Sequence, residues 1–450
     1  MRQIALVTFL MLVSLANANS QTAEDLALAW DKEHISKIFP SDVRHADLKA
    51  YLDQLKKLGI KVEQVGVSNA SREIFQVEWG KGPLKVFMWS QMHGDEPTAT
   101  SALIDLFAFL RKNAGVDWVK RIGETMTIRA VPMLNPDGAE IYQRRNLQQI
   151  DINRDAIDLK TPEARLLKQL RDDWMPAIGF NLHNQGALTT VGRTTNQAAI
   201  SLLVVYGDEA KTPSFGHERN TRLAAAIAAA LGHFIPGNLA RYSDEWTPNA
   251  FGDNFSAWDT PTILIETGAL HGKDEMFLVK MNFVAFLTAF HALASGSERS
   301  QDMSRYLMLP ENTSGGLVNF IFRRAGIVVI SDQTAVTTTP AVTPTPVVTI
   351  TQADVGGVVN RRRASFAAPV TITGVGDLGS KRGLVEYDAS GFNVVHRFSK
   401  IRAGELLELM FYRKERVVDW TVADLEKQFP PDAIFSSGKW FKGEKIVPTR

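Results

Sequence analysis

The chain has 450 residues, a formal net charge of +1 at pH 7, 45% hydrophobic residues and no cysteine. The absent cysteines exclude disulfides, thiolate metal sites and cysteine nucleophiles. The near-neutral balance lacks the basic field that a nucleic-acid or anionic-membrane partner demands. Any chemistry must therefore rest on His, Asp, Glu, Arg, Ser, Thr, Tyr or a cofactor.

Met1-Arg2 followed by the apolar run Ile4 to Leu15 and the small residues Ala16-Asn17-Ala18 predicts a secretory signal spanning 1–18. The run is too short to cross a bilayer, which needs about 20 apolar residues. No later segment is expected to span a membrane, so the mature chain is expected to be exported, to the periplasm or the medium. Asp25 to Leu58 reads as helical, with Leu48, Tyr51, Leu55 and Leu58 at helical spacing. Leu84 to Trp89 is a predicted strand, and Pro97 to Lys112 a helix with proline in its first turn. Met126 to Val131 is a strand, Thr161 to Leu170 a helix opening Thr-Pro-Glu, and Ala177 to Leu182 a buried strand. Asn220 to Leu231 is an alanine-rich helix, Thr262 to Ile265 a last apolar strand, and Met276 to Leu293 a closing helix. Strands alternating with helices predict an α/β domain around a parallel or mixed sheet, over 19–296.

Ser295-Gly296-Ser297 marks the expected boundary, and 297–450 reads as a small β-rich C-terminal domain, on the Val and Ile runs at Gly326–Ile330 and Pro369–Ile372. Its strongest predicted helix is Thr421 to Phe429. Thr334 to Thr351, rich in Thr, Val and Pro, suits a linker or edge strands. Arg361-Arg362-Arg363 reads as a solvated turn.

The chemistry concentrates in Ser90-Gln91-Met92-His93-Gly94-Asp95-Glu96-Pro97, between a strand and a helix. Three-residue spacing lets the His93 imidazole and the Glu96 carboxylate converge on one cation, and Gly94 permits the tight path. Phe180-Asn181-Leu182-His183 puts a second histidine at the end of another strand, and Ile263-Leu264-Ile265-Glu266-Thr267-Gly268 a carboxylate at the end of a third. Ligands of open α/β sheets bind beyond the carboxyl ends of strands, so these residues point at one crevice. Between them stand the turn Asn135-Pro136-Asp137-Gly138, the run Arg144-Arg145-Asn146, and Asp151-Ile152-Asn153-Arg154. Guanidinium forks near such a crevice suit an enzyme that handles carboxylates.

These motifs, in this order from about Asp42 to Leu293, resemble those of the zinc metallocarboxypeptidases, and the chain looks like a bacterial exported member. The resemblance implies a mixed, mostly parallel eight-stranded α/β sheet with one catalytic Zn2+. It implies His93, Glu96 and His183 as metal ligands, Glu266 as general base and Arg144 as the arginine polarising the scissile carbonyl. Asn153 and Arg154 match the pair holding the substrate's free carboxylate, Asp151 the carboxylate orienting His93, and Tyr242 the family's mobile tyrosine. The implied partner is a peptide or peptide-like substrate with a free carboxylate.

Gln149, Asn181 and Asp155 depart from the common pattern, where relatives carry glycine, aspartate and asparagine. Deacylases resembling succinylglutamate desuccinylase and cell-wall peptide hydrolases share the His-x-x-Glu and later His arrangement. The Asn-Pro-Asp-Gly turn with Arg144, Asn153 and Arg154 favours the peptidase over these, and the intact ligand set argues against a non-catalytic binding module. Specificity is open in the sequence: Asp253 would attract a basic side chain, whereas Phe251, Phe255 and Trp258 would line an apolar pocket.

Overall fold

A computed structural model describes residues 21–331, 346–360, 362–443 and 445–449. The expected signal at 1–18, most of the Thr/Val/Pro stretch and Arg361 lie outside the described residues. The chain forms two compact units, dividing between Asn312 and Thr313.

The first unit opens with helices α1 (Ala23–Glu33) and α2 (His45–Lys57), followed by strands β1 (Lys61–Val67), β2 (Glu73–Gly80) and β3 (Leu84–Ser90). Helices α3 (Thr98–Lys112) and α4 (Asp117–Thr125), strand β4 (Met126–Val131), and helices α5 (Pro136–Ile141) and α6 (Pro162–Trp174) come next. Strands β5 (Ile178–Asn184) and β6 (Ile200–Val204), helix α7 (Phe215–Leu231), strand β7 (Leu239–Arg241), helix α8 (Phe251–Ala257) and strand β8 (Thr262–Thr267) follow. Helices α9 (Glu275–Ser295) and α10 (Ser304–Leu307) complete it.

The eight strands form one sheet in the order β1-β2-β4-β3-β5-β8-β6-β7. Its centre, β4-β3-β5-β8, is parallel, and the β1-β2, β2-β4 and β8-β6 pairings are antiparallel. The expected mixed eight-stranded sheet is present. Period-2 alternation sorts β3 between two cores. Val86 and Met88 join the cluster built on α3, α7 and α9, whereas Phe87 and Trp89 face the opposite cluster with Trp174, Phe251 and Phe255.

Local capping sets the helix ends. Ser214 Oγ accepts from His217 N, so α7 starts before the alanine-rich run that announces it. Thr161 caps α6 with Pro162 at its first position. Asp274 caps α9, which ends at Gly296 with φ +75°. Contrary to the expectation that no later segment could span a membrane, α9, with 21 residues, has the length and apolarity for it. Its face is largely buried in the core, as in the central helix of a packed domain. The chain beyond Gly296 continues with α10, whose buried Tyr306 accepts from Val204 N through its hydroxyl.

The second unit contains strands β9 (Leu317–Ser331), β10 (Val347–Val359), β11 (Val370–Gly376), β12 (Arg382–Asp388), β13 (Phe392–His396) and β14 (Leu409–Arg413), helix α11 (Leu425–Gln428), and strands β15 (Ala433–Ser436) and β16 (Lys439–Gly443). They make an eight-stranded sheet in the order β11-β10-β9-β13-β14-β15-β16, with β12 also paired to β9. Phe322, Val355, Phe411 and Phe435 centre its core. Two expectations fail here. The helix expected over 421–429 shrinks to the four residues of α11, capped by Asp424 and ended before Pro430. The basic run is not a solvated turn throughout, because Arg363 is buried while Arg362 is exposed. Val347–Thr351, left open between linker and strand, is the start of β10.

Candidate metal centre and active site

The site lies beyond the carboxyl ends of the parallel strands. Ser90 ends β3, and Gln91 turns the chain with φ +51°, its side-chain amide donating to the Gly94 carbonyl at 3.0 Å. His93 sits on that turn and Glu96 just before α3. Gly94 is required by close approach: a Cβ there would lie 2.0 Å from the Gly138 carbonyl carbon. The Asn-Pro-Asp-Gly turn is thus the seat of the His93 loop. Asn135 Oδ1 accepts from Gly138 N at 2.8 Å, and its Nδ2 donates to the carbonyls of Met92 (3.2 Å) and Arg144 (3.4 Å). Asp137, fully buried, accepts from Ser68 Oγ (2.9 Å), Ala70 N (2.8 Å) and Arg72 (2.6 Å).

Three donors converge. His93 Nδ1 lies 2.9 Å from Glu96 Oε1, His183 Nδ1 lies 2.7 Å from Glu96 Oε2, and the two Nδ1 atoms are 3.2 Å apart. Their ligating atoms all fall within 4.8 Å of one another, and all three residues are buried. His93 Nε2 donates to Asp151 Oδ1 at 2.9 Å, which leaves its Nδ1 as a lone-pair donor. With lone pairs on both Nδ1 atoms, these two nitrogens and the carboxylate would repel one another at this spacing unless a cation sat between them. Donors about 2.0–2.1 Å from one tetrahedral zinc stand ~3.3 Å apart. The residues fit such an ion.

Glu266 is placed by the sheet. It occupies the register position opposite His183 in the parallel β5-β8 pair, so both side chains leave the same face. Burial, reinforced by the charge of Glu96, holds its carboxyl well above the usual carboxylate range. Burial likewise opposes ionisation of Glu96, yet the charges and hydrogen bonds of His93 and His183 keep it well below that range. Burial lowers His183, while for His93 the Glu96 charge and the Asp151 hydrogen bond outweigh burial and raise it to about 9. His93, with Arg144 and Arg154, keeps Asp151 ionised against its own burial.

Arg144 spans the group, its Nη1 3.1 Å from Glu96 Oε1 and its Nε 3.1 Å from Asp151 Oδ2. Asn146 closes its loop by accepting from Ile150 N at 3.0 Å. Gln149 adopts φ +61° there, the left-handed backbone that explains why glycine suits this position. Arg154 is exposed, with its Nη1 donating to the Asn153 carbonyl, and its charge acts on Asp151, Tyr242 and Asp253. Asn153 Oδ1 accepts from Phe251 N at 2.9 Å, fastening the start of α8 to this edge of the site. Tyr242 is half-buried, and the Glu266 charge, then burial, push its hydroxyl up to about 12. Asp155 is a structural acceptor, taking Lys160 N (2.9 Å) and Thr161 N (2.7 Å).

Of the two specificity alternatives, the aromatic one fails. Phe251 and Phe255 are fully buried in the core beneath the sheet, and Trp258 packs beside Phe255 with Lys168 over its ring. Asp253 is half-buried and accepts from Thr247 N at 3.0 Å. Sequence reading finds Asn135 as part of its turn but misses Asn184 and Thr98, which touch the site from buried positions. Their chain segments meet only in the fold, so no local pattern signals them.

A family model described as zinc carboxypeptidase, Peptidase_M14, matches residues 48–197. That stretch contains His93, Glu96, Arg144, Asp151, Asn153, Arg154 and His183, and ends before Tyr242 and Glu266. The "Probable carboxypeptidase 2" of Trichophyton verrucosum is 32% identical over 111 residues, 25% of this chain and 20% of that protein. The "Carboxypeptidase 2" of Trichophyton tonsurans is 32% identical over 100 residues, 22% of this chain and 18% of that one. The chain thus spans about a fifth of the length of these relatives. Among solved structures, the metallo-carboxypeptidase from Burkholderia cenocepacia is similar with a TM-score of 0.46 and 15% identity, over 56% of this chain and 69% of that one.

Proposed function

We propose that this chain, whose residues 48–197 match the zinc carboxypeptidase family model, is an exported zinc-dependent peptidase that releases residues from peptide C-termini. The observation that carries the reading is the convergence of His93, Glu96 and His183 with Glu266 opposite His183 in the sheet.

Two histidines and one carboxylate leave a fourth position open, the arrangement of a catalytic rather than a structural site. Zinc bound there supplies a water of pKa about 7 and polarises a carbonyl. Glu266, whose carboxyl burial raises, would accept a proton from a water held there and pass it to the leaving amine. Asp151 fixes the His93 ring, and with Glu96 it aims Arg144 across the site toward the oxygen of the bond being cut. Arg154, exposed at the rim, and Asn153 hold the free carboxylate of the peptide. Tyr242, protonated over the whole working range, contributes a hydroxyl donor on the substrate side. In this reading 1–18 is removed on export, the first unit, which runs to Asn312 rather than to the expected 296, carries the chemistry, and the unit from Thr313 is an accessory β-rich domain.

The test is a peptide pair differing only in a free or amidated C-terminus, digested with and without a chelator. Release of the last residue from the free form alone, abolished by the chelator and restored by zinc, is expected. Equal cleavage of both forms would remove the carboxylate anchor and favour an endopeptidase or deacylase on the same scaffold.

A further inference from the structure

The two histidines of the site are held differently. His93 is oriented by Asp151, whereas the Nε2 of His183 is buried and has no hydrogen-bond partner among the described residues. Outside the ligand cluster, where its Nδ1 meets Glu96 and His93, no group bonds to its ring, so the orientation of His183 depends on the backbone of β5. The next residue, Asn184, is the last of that strand and is buried. Its backbone N–H donates to Glu96 Oε2 at 3.1 Å. Its side chain makes two bonds to one residue of α3: Nδ2 donates to Thr98 Oγ1 at 2.7 Å, and Oδ1 accepts from Thr98 N at 3.3 Å. Thr98 is the first residue of α3, two beyond Glu96. Asn184 and Thr98 therefore tie the segment carrying one ligand to the segment carrying the other.

We infer that Asn184 and Thr98 form a clasp that fixes His183 and Glu96 relative to each other, making both positioning residues for the metal centre. The clasp rests on the metal-site reading above. Its effect is on affinity: partners that orient ligands typically alter metal binding by about 10–100-fold when removed. A purely structural role for the same bonds is also definable. Pro97 offers α3 no side-chain cap, so Asn184 Oδ1 satisfies one of the helix's free N–H groups. That role predicts lost stability with unchanged metal affinity.

The experiment measures zinc dissociation constants by chelator competition, and the visible absorption of the cobalt-substituted protein, on the full chain. Thr98→Val removes the hydroxyl while keeping the backbone bond to Asn184, and Thr98→Ser keeps both. Asn184→Leu removes both side-chain bonds. The clasp predicts ~10-fold weaker zinc binding and a shifted cobalt spectrum for Thr98→Val. Thr98→Ser should match wild type, and the Thr98→Val/Asn184→Leu double variant should be no weaker than Asn184→Leu alone. If Asn184→Leu does not fold, the Thr98 pair decides alone. Zinc binding by Thr98→Val within twofold of wild type, whether or not its thermal midpoint falls, overturns the clasp. Wild-type protein that binds no zinc overturns the metal-site reading itself, a different outcome.

Discussion

Glu266 and the two histidines stand in the same cluster but should fail in different ways. Glu266→Gln keeps the volume and removes the proton acceptor, so zinc content should stay near one per chain while kcat falls by about 10²–10⁴-fold. Elemental analysis beside steady-state kinetics reads both numbers, and full activity in this variant would sink the role given to Glu266. His93→Ala and His183→Ala each delete a donor from a set of three, so in these the metal itself should be lost. The site positions were legible because His93 follows an apolar strand and His183 and Glu266 stand at the ends of two others, and strand ends share one edge of a parallel sheet. Asn184 and Thr98 were not legible. They are 86 residues apart and meet only through the pairing of side chain with helix start. The inward direction of Phe251 and Phe255 was equally hidden, since α8 takes its orientation from the distant Asn153.

At the scale of elements, the turn of α5 and the loop after β3 form one unit of structure. A methyl group at position 94 would lie 2.0 Å from the Gly138 carbonyl carbon, against backbone that has no rotamer to yield. Gly94→Ala should therefore lower stability by at least ~2 kcal/mol and push His93 away from Glu96. Thermal unfolding of the metal-free protein gives the first effect and zinc content the second. Unchanged values in both would mean that the two turns separate freely. The helices and central strands were legible from periodicity and caps, with ends that moved where a capping side chain lay outside the periodic run, as Ser214 does for α7. β1, β2, β6 and β7 escaped notice because β1 is largely exposed, β2 and β6 are buried in continuous runs and β7 is only three residues long, so none shows a clean period of two.

For the whole molecule, two compact units with separate cores imply separable responses. Zinc should protect the first unit, by about 2.7 kcal/mol at a free concentration 100-fold above its dissociation constant. Peptide-resolved hydrogen exchange should show this gain in β3, β5 and β8. The second unit has its own acid sensitivity. Arg323 Nε and Nη2 donate to the two oxygens of Glu386 at 2.9 and 3.0 Å, and its Nη1 to Asp354 at 2.9 Å. Burial opposes ionisation of Glu386, but Arg323 and the Gly383 N–H outweigh it and hold the carboxyl below its usual range. A depressed folded value means that the contribution is complete above the unfolded value of about 4.3 and fades as pH falls through the folded one. Glu386→Gln should thus weaken the second unit at neutral pH, with the gap to wild type closing below ~pH 4. Exchange protection of β9 and β12 across that range checks the convergence, and a constant gap would remove Glu386 as its cause.

The register that sets His183 opposite Glu266 also tells an engineer which parts of the chain are free. Peptide hydrogen bonds between β5 and β8, rather than side-chain packing, measure the separation of ligand and base. Deleting one residue within 262–265 would turn Glu266 to the other face of the sheet. The segment 243–250, which enters α8 beside the rim, lies outside that ladder. Libraries of altered length there can reshape what is admitted to the crevice while leaving the distance between the catalytic groups as the backbone dictates.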